Sequence, residues 1–216
     1  NILLVFLFTA CTSVPDERMT SYVDFPETRE LTARTLSLDS ALFRYPYRVR
    51  VQDDKAVVLD LHGTEYFFHA FHYPGFHYLS SFGKRGDAPE EMLSAENLRW
   101  NGNFLWTLDS NKSELTRLGF ASSGDSLLRL EAVSLDEELL RALDFVQYDD
   151  STFIIPDYSG DGRFCLVSRQ GKLLRKIGTV PTANEDALKS ARPALAQAWR
   201  SFIDYNPRNG VLAAAT

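Results

Sequence analysis

The segment Asp157–Gly162 has the residue types of a calcium-binding loop. It reads Asp-Tyr-Ser-Gly-Asp-Gly, which places side-chain oxygens at positions one, three and five and a glycine at position six. Position twelve is Ser168, where an EF-hand loop needs a bidentate glutamate, so the EF-hand is excluded. Two interpretations stay open. One is a shorter calcium loop with Asp157, Ser159 and Asp161 as candidate ligands, and the other is a tight turn, which favours these residue types for backbone reasons.

Asp157 is also the last of three aspartates that recur at a regular spacing. Each ends a short apolar run, and 49 residues separate Asp60 from Asp109 while 48 separate Asp109 from Asp157. If the three runs converge on one axis, these carboxylates are candidate ligands for a calcium ion there. The alternative is structural, because an aspartate at the end of a strand can accept hydrogen bonds from the backbone of the adjoining turn.

The four histidines are candidate metal ligands by residue type alone. They are His62, His69, His72 and His77, and their spacings of seven, three and five residues fit no standard ligand motif. Tyr73–Gly75 has the composition of a turn, with His72 and His77 on either side of it. We therefore expect solvated histidines at strand edges rather than a metal site.

The sequence offers no recognisable catalytic nucleophile. It contains neither a Gly-x-Ser-x-Gly elbow nor a His-Glu-x-x-His motif. Cys165 lies in an apolar run typical of a strand, which favours a buried small hydrophobic residue over a reactive thiol. We predict no catalytic residue.

The regular spacing of the aspartates extends to the segments around them. A turn-prone segment precedes each apolar run, at Asp53–Lys55, Asn101–Asn103 and Asp149–Ser151, and another apolar stretch precedes each turn. This is the pattern of a β-hairpin. Two further strand-like segments, Arg163–Val167 and Lys172–Ile177, complete a unit of about four strands. A period near 48 residues with four strands a unit is typical of a β-propeller blade.

Residues 48–83, 97–120 and 144–178 supply three such units, and a fourth begins at Ser201. Only two segments have a helical pattern, residues 135–143 and about 185–199, the second interrupted at Pro193. Both fall between units, so we interpret them as short helical insertions between blades. Six blades at this period need on the order of 290 residues. We therefore expect an incomplete propeller of about three and a half blades, from a fragment or a degenerate copy.

The exit from the first unit carries a recognisable motif. The segment Phe82–Met92 reads Phe-Gly-Lys-Arg-Gly-Asp-Ala-Pro-Glu-Glu-Met. It resembles the Phe-Gly-x-x-Gly-x-x-Pro-Glu-Glu-Phe signature of TolB-like six-bladed propeller lipoproteins of Gram-negative bacteria, with Met92 in place of the last Phe. The matching positions are Phe82, Gly83, Gly86, Pro89 and Glu90. Residues 149–160 and 206–207 resemble further segments of that family. The resemblance implies an all-β, six-bladed propeller fold and brings no catalytic residues.

The N-terminal segment resembles a bacterial export signal. Residues 2–10 form an uncharged apolar run that is too short to span a membrane but fits the core of a signal peptide. Thr9 and Ala10 precede Cys11 as in a lipobox, whose cysteine becomes lipidated; a buried strand ending in Cys is the alternative. We expect residues 1–11 to be a signal peptide, 12–40 a linker with a first strand, and 41–216 a partial propeller domain.

Composition limits the range of partners. The net charge is −6, the pI is about 5.3 and no basic stripe is present, so nucleic-acid binding is not expected. The aromatic segment Tyr66–Tyr78 could stack on carbohydrate or pack between blades. We expect an unidentified protein or carbohydrate ligand, membrane attachment through the lipid anchor, and no cofactor unless calcium binds.

The functional hypothesis is a lipid-anchored cell-envelope propeller that acts as a non-catalytic binding or scaffolding module. The anchor predicts a location at the outer membrane, on its surface or periplasmic side. The alternative is a calcium-dependent lactonase or esterase on a six-bladed propeller, with Asp60, Asp109 and Asp157 as the first ligands to test. A purely structural envelope protein is not distinguished from the first hypothesis by the sequence.

Overall fold

The computed structural model describes residues 27–36, 42–182, 186, 189 and 192–216 of the chain. The chain divides into two compact units, Asn1–Thr35 and Leu36–Thr216. The described residues of the first unit, 27–35, are exposed and lie outside helices and strands. The predicted signal peptide and Cys11 lie outside the described residues. Of the predicted linker, residues 27–36 contain no strand, and the first strand begins at Pro46.

Three four-stranded antiparallel sheets make up most of the second unit, and in each sheet the strands lie side by side in chain order. Blade 1 contains β1 (Pro46–Gln52), β2 (Lys55–Asp60), β3 (Tyr66–His72) and β4 (His77–Lys84). Blade 2 contains β5 (Asn97–Asn101), β6 (Phe104–Asp109), β7 (Glu114–Phe120) and β8 (Leu127–Ser134). Blade 3 contains β9 (Val146–Gln147), β10 (Thr152–Pro156), β11 (Phe164–Ser168) and β12 (Leu173–Ile177). The predicted all-β fold with four-stranded antiparallel blades is confirmed.

A hairpin follows the third blade and forms the fourth unit. It pairs β13 (Phe202–Asn206) with β14 (Val211–Ala215). The helix α1 (Arg192–Ala198) precedes it, with Pro193 in its first turn, where a missing N–H costs little. The rest of the predicted helix at 185–199 lies mostly outside the described residues. Among the described residues no helix is long and apolar enough to cross a membrane.

The helix predicted over residues 135–143 is wrong, because these residues form a series of turns. The Asp136 carboxylate accepts hydrogen bonds from the backbone N–H groups of Glu138 and Leu173, at 3.2 and 3.3 Å. Side-chain bonds of this kind offer the backbone an alternative to a helix. Arg141 adopts a φ of 44°, which a right-handed helix does not contain. Of the leucines that suggested a helix, Leu135 and Leu139 are buried in the core between blades 2 and 3, whereas Leu140 is exposed.

Two-residue turns connect the first and second strands of blades 1 and 2 at equivalent positions. Gln52 pairs with Lys55 across Asp53–Asp54, and Asn101 pairs with Phe104 across Gly102–Asn103. The first turn residue is left-handed in both, with φ of 51° at Asp53 and 53° at Gly102. Aspartate and glycine are among the residues that tolerate this conformation. Both hairpins were predicted from the sequence.

Most of the hydrophobic core lies between neighbouring blades, and a smaller cluster of Ala56, Val58 and Phe71 lies within blade 1. Blades 1 and 2 share a buried cluster, blades 2 and 3 share a second, and blade 3 shares a third with β13. In the second cluster the Trp106 and Phe153 rings meet edge to face, with centroids 5.1 Å apart. Phe67 and Phe68 from the aromatic segment are buried in the cluster shared by blades 1 and 2, which supports packing between blades for them, whereas Phe71 is buried within blade 1. Stacked blades therefore bury each other's faces.

Candidate functional site

The recurring aspartates occupy equivalent places, as predicted, at the end of the second strand of each blade. Asp60 accepts hydrogen bonds from the backbone N–H groups of Arg44 and Tyr45, at 2.8 and 2.6 Å. Asp109 accepts from Leu93 N at 2.7 Å and from Ser94 Oγ at 2.9 Å. In both blades the donors lie 16 and 15 residues earlier. These carboxylates thus fix the segments that lead into blades 1 and 2.

The third aspartate organises its own turn. Asp157 accepts hydrogen bonds from Ser159 N, Ser159 Oγ and Gly162 N at 2.8 to 2.9 Å. The Lys176 ammonium lies in the same cluster, 2.7 Å from Ser159 Oγ and 3.2 Å from Asp161 Oδ2. Arg192 also donates to Asp161, at 2.8 Å. The oxygens proposed as calcium ligands are therefore already paired with N–H groups and with two cationic side chains.

No group of three or more histidine, cysteine, aspartate or glutamate side chains is arranged to hold a metal ion within the described part of the chain. The fit of the residues to calcium is accordingly poor, since Lys176 takes the place of a cation in the one loop that resembles a calcium site. Calcium binding by Asp60, Asp109 or the Asp157 loop stays a prediction for experiment.

Three of the four histidines are exposed, and His72 pairs across the predicted turn with His77. His69 contradicts the expectation of a solvated side chain, because only 7% of it is exposed. Its Nδ1 lies 2.8 Å from Ser81 Oγ, and its ring packs edge to face against Phe43. Burial lowers the pKa of His69, against the opposing effect of the Asp60 carboxylate.

The family motif forms the connection from blade 1 to blade 2. Phe82 is buried against Phe68, with ring centroids 5.1 Å apart, and Gly83 follows it with φ of 65°. Lys84 pairs with Glu91 at 2.7 Å, which closes the connecting loop. Lys112 and Arg129 of blade 2 donate to carbonyl oxygens within the segment, including Ala88 and Pro89. The motif residues Gly86 and Glu90 lie in this loop, so the segment has a structural role.

The first strands of the four units converge, and we call β1, β5, β9 and β13 the inner strands. β1 approaches β5, and β9 approaches β13. The guanidinium of Arg48 on β1 lies 5.8 Å from the centre of the Phe202 ring on β13. Polar side chains are concentrated here, whereas the second strands are almost entirely apolar and buried. This arrangement places the inner strands around the propeller axis.

A chain of hydrogen bonds links one inner strand to the next. Arg48 donates to Asn97 Oδ1 at 2.7 Å, and Asn97 donates through Nδ2 to Asp144, which directly precedes β9. Asp144 Oδ2 then accepts from the backbone N–H of Ile203 on β13 at 2.9 Å. Asn97 and Asp144 are at most 1% exposed. The donors and acceptors stand 49 and 47 residues apart, so the chain of bonds follows the repeat.

Arg99 is the buried cation of this region, and both of its Nη atoms are paired. Its Nη2 lies 3.1 and 3.3 Å from the two carboxylate oxygens of Asp144 and also donates to the carbonyl of Ile203. Its Nη1 donates to Asp204 at 2.9 Å. Asp144 is nearly inaccessible, whereas the Asp204 side chain is 72% exposed. Buried ion pairs require this degree of hydrogen bonding to offset the loss of solvation.

Arg50 is different. It lines a cavity of about 430 Å³ that opens among the inner strands and their turns, together with Arg99, Trp100, Tyr148 and Tyr205. Burial lowers the pKa of Arg50, and the Arg99 and Arg48 guanidiniums lower it further, against the effect of Asp204 and Asp144. Its buried Nε has no hydrogen-bond partner among the described residues, a feature that it shares with Arg99 Nε. We call this space the inner cavity; it lies at the opposite end of the strands from Asp60 and Asp109.

A second cavity, of about 410 Å³, lies between blades 2 and 3 and shares Asn101 and Gln147 with the inner cavity. Its two arginines share one carboxylate. Glu131 Oε2 accepts from Arg169 at 2.6 Å and lies 3.0 Å from Arg117 Nε. Since this pair of cations already has an anion, the unpaired charge of Arg50 distinguishes the inner cavity.

The sequence prediction missed Arg48, Arg50, Asn97, Arg99 and Asp144. A signal for part of this set was present, because Arg48, Asn97 and Asp144 follow the same repeat as the predicted aspartates. The repeat alone does not show which strand of each unit lies nearest the axis. Without knowing that the first strand is innermost, a polar residue in it cannot be recognised as part of a site.

Four-stranded blades whose first strands meet at one axis define a β-propeller. The chain matches the family described as TolB-like 6-blade propeller-like over residues 24–216. The chain therefore belongs to the TolB-like six-bladed propeller family, which confirms the resemblance found in the motif. No curated protein matches the chain.

The chain is similar to solved structures at low sequence identity. A Bacteroides fragilis structure titled "Putative exported protein" is 14% identical, with a TM-score of 0.55 over 69% of this chain and 42% of that one. A functionally unknown protein from Desulfotomaculum acetoxidans is 13% identical over 78% and 54%, with a TM-score of 0.45. A Bacteroides uniformis structure titled "putative 6-phosphogluconolactonase" is 15% identical over 78% and 55%, with a TM-score of 0.44. The chain thus spans about half the length of these structures.

Proposed function

We propose that this chain is part of an exported, lipid-anchored propeller that binds a ligand without catalysis in the inner cavity. The observation that carries the proposal is Arg50, a half-buried guanidinium without a hydrogen bond or ion pair among the described residues. An uncompensated cation costs stability in the free protein, and a ligand that pairs with it recovers that cost. The cavity volume falls within the range of about 300–1,000 Å³ for small-molecule sites.

Binding is better supported than catalysis because the buried polar groups of this region are committed to one another. Asp144 accepts from Asn97, Arg99 and Ile203, so its carboxylate has little capacity left for a proton or a metal ion. Cys165 is buried away from the cavity, and burial raises the pKa of its thiol to about 12. Neither group has the properties of an activated nucleophile or a general base.

The export and anchor parts of the proposal rest on the sequence. Residues 2–10 have the length and apolar character of a signal-peptide core and end at the lipobox-like Cys11. The Bacteroides fragilis structure of the same fold is titled as an exported protein. Acyl chains contribute about 0.8 kcal/mol for each buried CH₂, so several chains hold an otherwise soluble domain at a membrane.

The anchor is tested by expressing the chain behind an initiator methionine and a basic extension in a Gram-negative host with labelled palmitate. We expect label in the protein and recovery in the membrane fraction, and loss of both in Cys11→Ser. Cys165→Ser is the matched control and should keep the label. Equal labelling of the wild type and Cys11→Ser would contradict the lipid anchor.

Binding is tested by thermal unfolding of the purified chain with four probes: a neutral oligosaccharide (cellotetraose), an acidic one (tetragalacturonate), tetraglutamate and inorganic phosphate. A ligand of the folded state raises the free energy of unfolding, by about 2.7 kcal/mol at 100 Kd, and the midpoint temperature rises with it. We expect a saturable increase with at least one probe, which chromatography then recovers unchanged. No saturable increase with any probe, or conversion of the bound probe, would contradict the proposal.

The calcium-dependent hydrolase remains the alternative function. If this function is correct, the purified protein contains calcium and hydrolyses members of a panel of lactones and aryl esters. Chelating the ion should then stop the hydrolysis. Asp109→Ala should then remove both the metal and the activity. The contacts of Asp60, Asp109 and the Asp157 loop with backbone N–H groups and Lys176 favour the binding function instead.

A further inference from the structure

The charged side chains that the inner strands bring to the inner cavity do not all pair with one another. Three guanidiniums, those of Arg48, Arg50 and Arg99, lie on β1 and β5, and two carboxylates, Asp144 and Asp204, lie near them. Both carboxylates are bonded to Arg99, while Arg48 donates to the neutral amide of Asn97. Arg48 and Arg50 are thus left without a carboxylate partner among the described residues, and of these two only Arg50 lines the cavity, beside the paired Arg99. The base of the cavity therefore fits a single anionic group.

The walls of the cavity are aromatic. Trp100 lies parallel to Phe120, with ring centroids 6.2 Å apart, and the Tyr148 and Tyr205 rings are 5.2 Å apart. The buried indole N–H of Trp100 has no acceptor within the described part of the structure. Aromatic walls with a free donor suit a flat, partly polar ring rather than a fully apolar one.

The rim of the cavity supplies hydrogen-bond acceptors. Asp149 and Asp150 are exposed and line it, as does Gln147, whose buried Oε1 has no donor among the described residues. These groups accept hydrogen bonds from hydroxyls. They also repel a ligand that carries negative charge along its whole length, such as an acidic peptide.

We propose that the inner cavity recognises an acidic sugar, a uronic-acid unit whose carboxylate pairs with the Arg50 guanidinium, whose ring packs against Trp100, Tyr148 and Tyr205, and whose hydroxyls donate to Gln147, Asp149 and Asp150. This inference rests on the proposed binding function and names its ligand class. A guanidinium and a carboxylate can form two parallel hydrogen bonds, so Arg50 would select an acidic sugar over its neutral counterpart.

The proposal is tested by titrating the full chain with galacturonate and glucuronate, which carry one carboxylate each, and with galactose and glucose as their neutral counterparts, by calorimetry and by tryptophan fluorescence. Trp100 and Trp106 line the cavity, so binding should change the fluorescence. We expect the acidic sugars to bind at least tenfold more tightly than the neutral ones. Affinity for the acidic sugars should fall with rising salt, since the recognised group is charged.

The test variant is Arg50→Gln, and Arg175→Gln is its matched control because Arg175 is exposed on the outer strand β12. Arg50→Gln should weaken binding of the acidic sugars at least tenfold, leave the neutral sugars unchanged and raise the unfolding midpoint. Arg175→Gln should change neither. That rise shows that the variant is folded, so a loss of binding cannot come from unfolding.

Three outcomes overturn the inference in distinguishable ways. Equal affinity for acidic and neutral sugars, or no effect of Arg50→Gln, would refute the acidic sugar while leaving the binding function intact. Tighter binding of tetraglutamate or phosphate than of galacturonate would do the same and would identify another anion. Absence of binding by every probe would remove the proposed function together with the inference.

Discussion

Burial gives His69 a chemistry that the other three histidines lack. Its ring lies between Phe43 and Ser81, where the charged form loses most of its solvation, and the neutral form is favoured. The sequence presents four similar histidines within 16 residues, and nothing in their spacing distinguishes this one. The difference follows from position along β3, because His69 lies in the buried middle of the strand and His72 at its exposed end.

This predicts a pH-dependent stability. The pKa of His69 is lower in the folded chain than its ordinary value of about 6.5, so below that pH the unfolded chain binds protons more readily. The free energy of unfolding should then fall as the pH decreases, by up to about 1.4 kcal/mol per pH unit from this group. Urea unfolding between pH 7.5 and 5.5 measures it.

The His69→Gln variant should lose the part of the pH dependence that comes from His69. The control is His72→Gln, at an exposed position of the same strand, which should show the same pH dependence as the wild type. Identical slopes for the wild type and His69→Gln would show that burial of the ring does not control the titration.

At the scale of the element, the connection after β4 depends on a glycine in the family motif. Gly83 has φ of 65°, and a Cβ there would lie 2.6 Å from the Phe68 ring and 3.1 Å from the Met92 sulfur. Gly102 in the β5–β6 turn has a similar φ of 53°, but a Cβ there meets nothing within 4 Å. Comparing substitutions at the two glycines therefore separates the cost of backbone strain from the cost of steric overlap.

Alanine substitution at these positions should cost different amounts. Gly102→Ala pays only for the left-handed backbone, about 1–2 kcal/mol. Gly83→Ala should lose the same free energy of unfolding for its backbone and about 1–3 kcal/mol more because the added methyl overpacks the core between blades 1 and 2. Chemical denaturation of the two variants measures the difference. Equal losses would mean that Phe68 and Met92 move aside without cost.

Hairpins were predictable because their turn chemistry is local. Asp53–Asp54 and Gly102–Asn103 are turn-forming pairs in any context, and the flanking apolar residues set the strands. The segment 135–143 was not predictable in the same way. Leucines spaced three to four apart suit one face of a helix, but they equally suit a looped segment that closes a core, and tertiary contacts decide between the two.

At the scale of the whole molecule, Asp144 joins three units. It bonds to Asn97 and Arg99 of blade 2, to Phe145 of its own segment and to Ile203 of the fourth unit. Removing the Asp144 carboxylate leaves Arg99 as a buried cation whose one remaining anionic partner, among the described residues, is the exposed Asp204. The repeat predicted the fold of each unit, while the pairing that holds the units together involves residues that no motif marks.

Asp144→Ala should therefore cost about 3–5 kcal/mol of unfolding free energy, as expected for a buried pair that loses one partner. Asp204→Ala removes the other carboxylate of the same arginine, and because Asp204 is largely exposed it should cost less than about 1 kcal/mol. Urea titrations followed by tryptophan fluorescence compare them. Similar losses would show that burial of Asp144 contributes little.

The candidate site was predictable only in part. The aspartates that recur every 48 or 49 residues lie at equivalent positions, and they proved to anchor loops. The binding property assigned to the inner cavity depends on which guanidinium lacks a carboxylate partner. That pairing is decided by the orientation of side chains from several blades. Arg50 and Arg99 lie on different strands with the same charge, and only their surroundings distinguish a paired side chain from a free one.

The seclusion of Cys165 makes the molecule convenient for spectroscopy. Cys165 is 1% exposed, and its thiolate does not form at neutral pH, so maleimide reagents have no target there. With Cys11 replaced, a single cysteine at Asn103 beside the cavities would carry a fluorophore or a spin label as the sole reactive thiol. Ligand capture and relative blade motion could then be followed on one labelled chain.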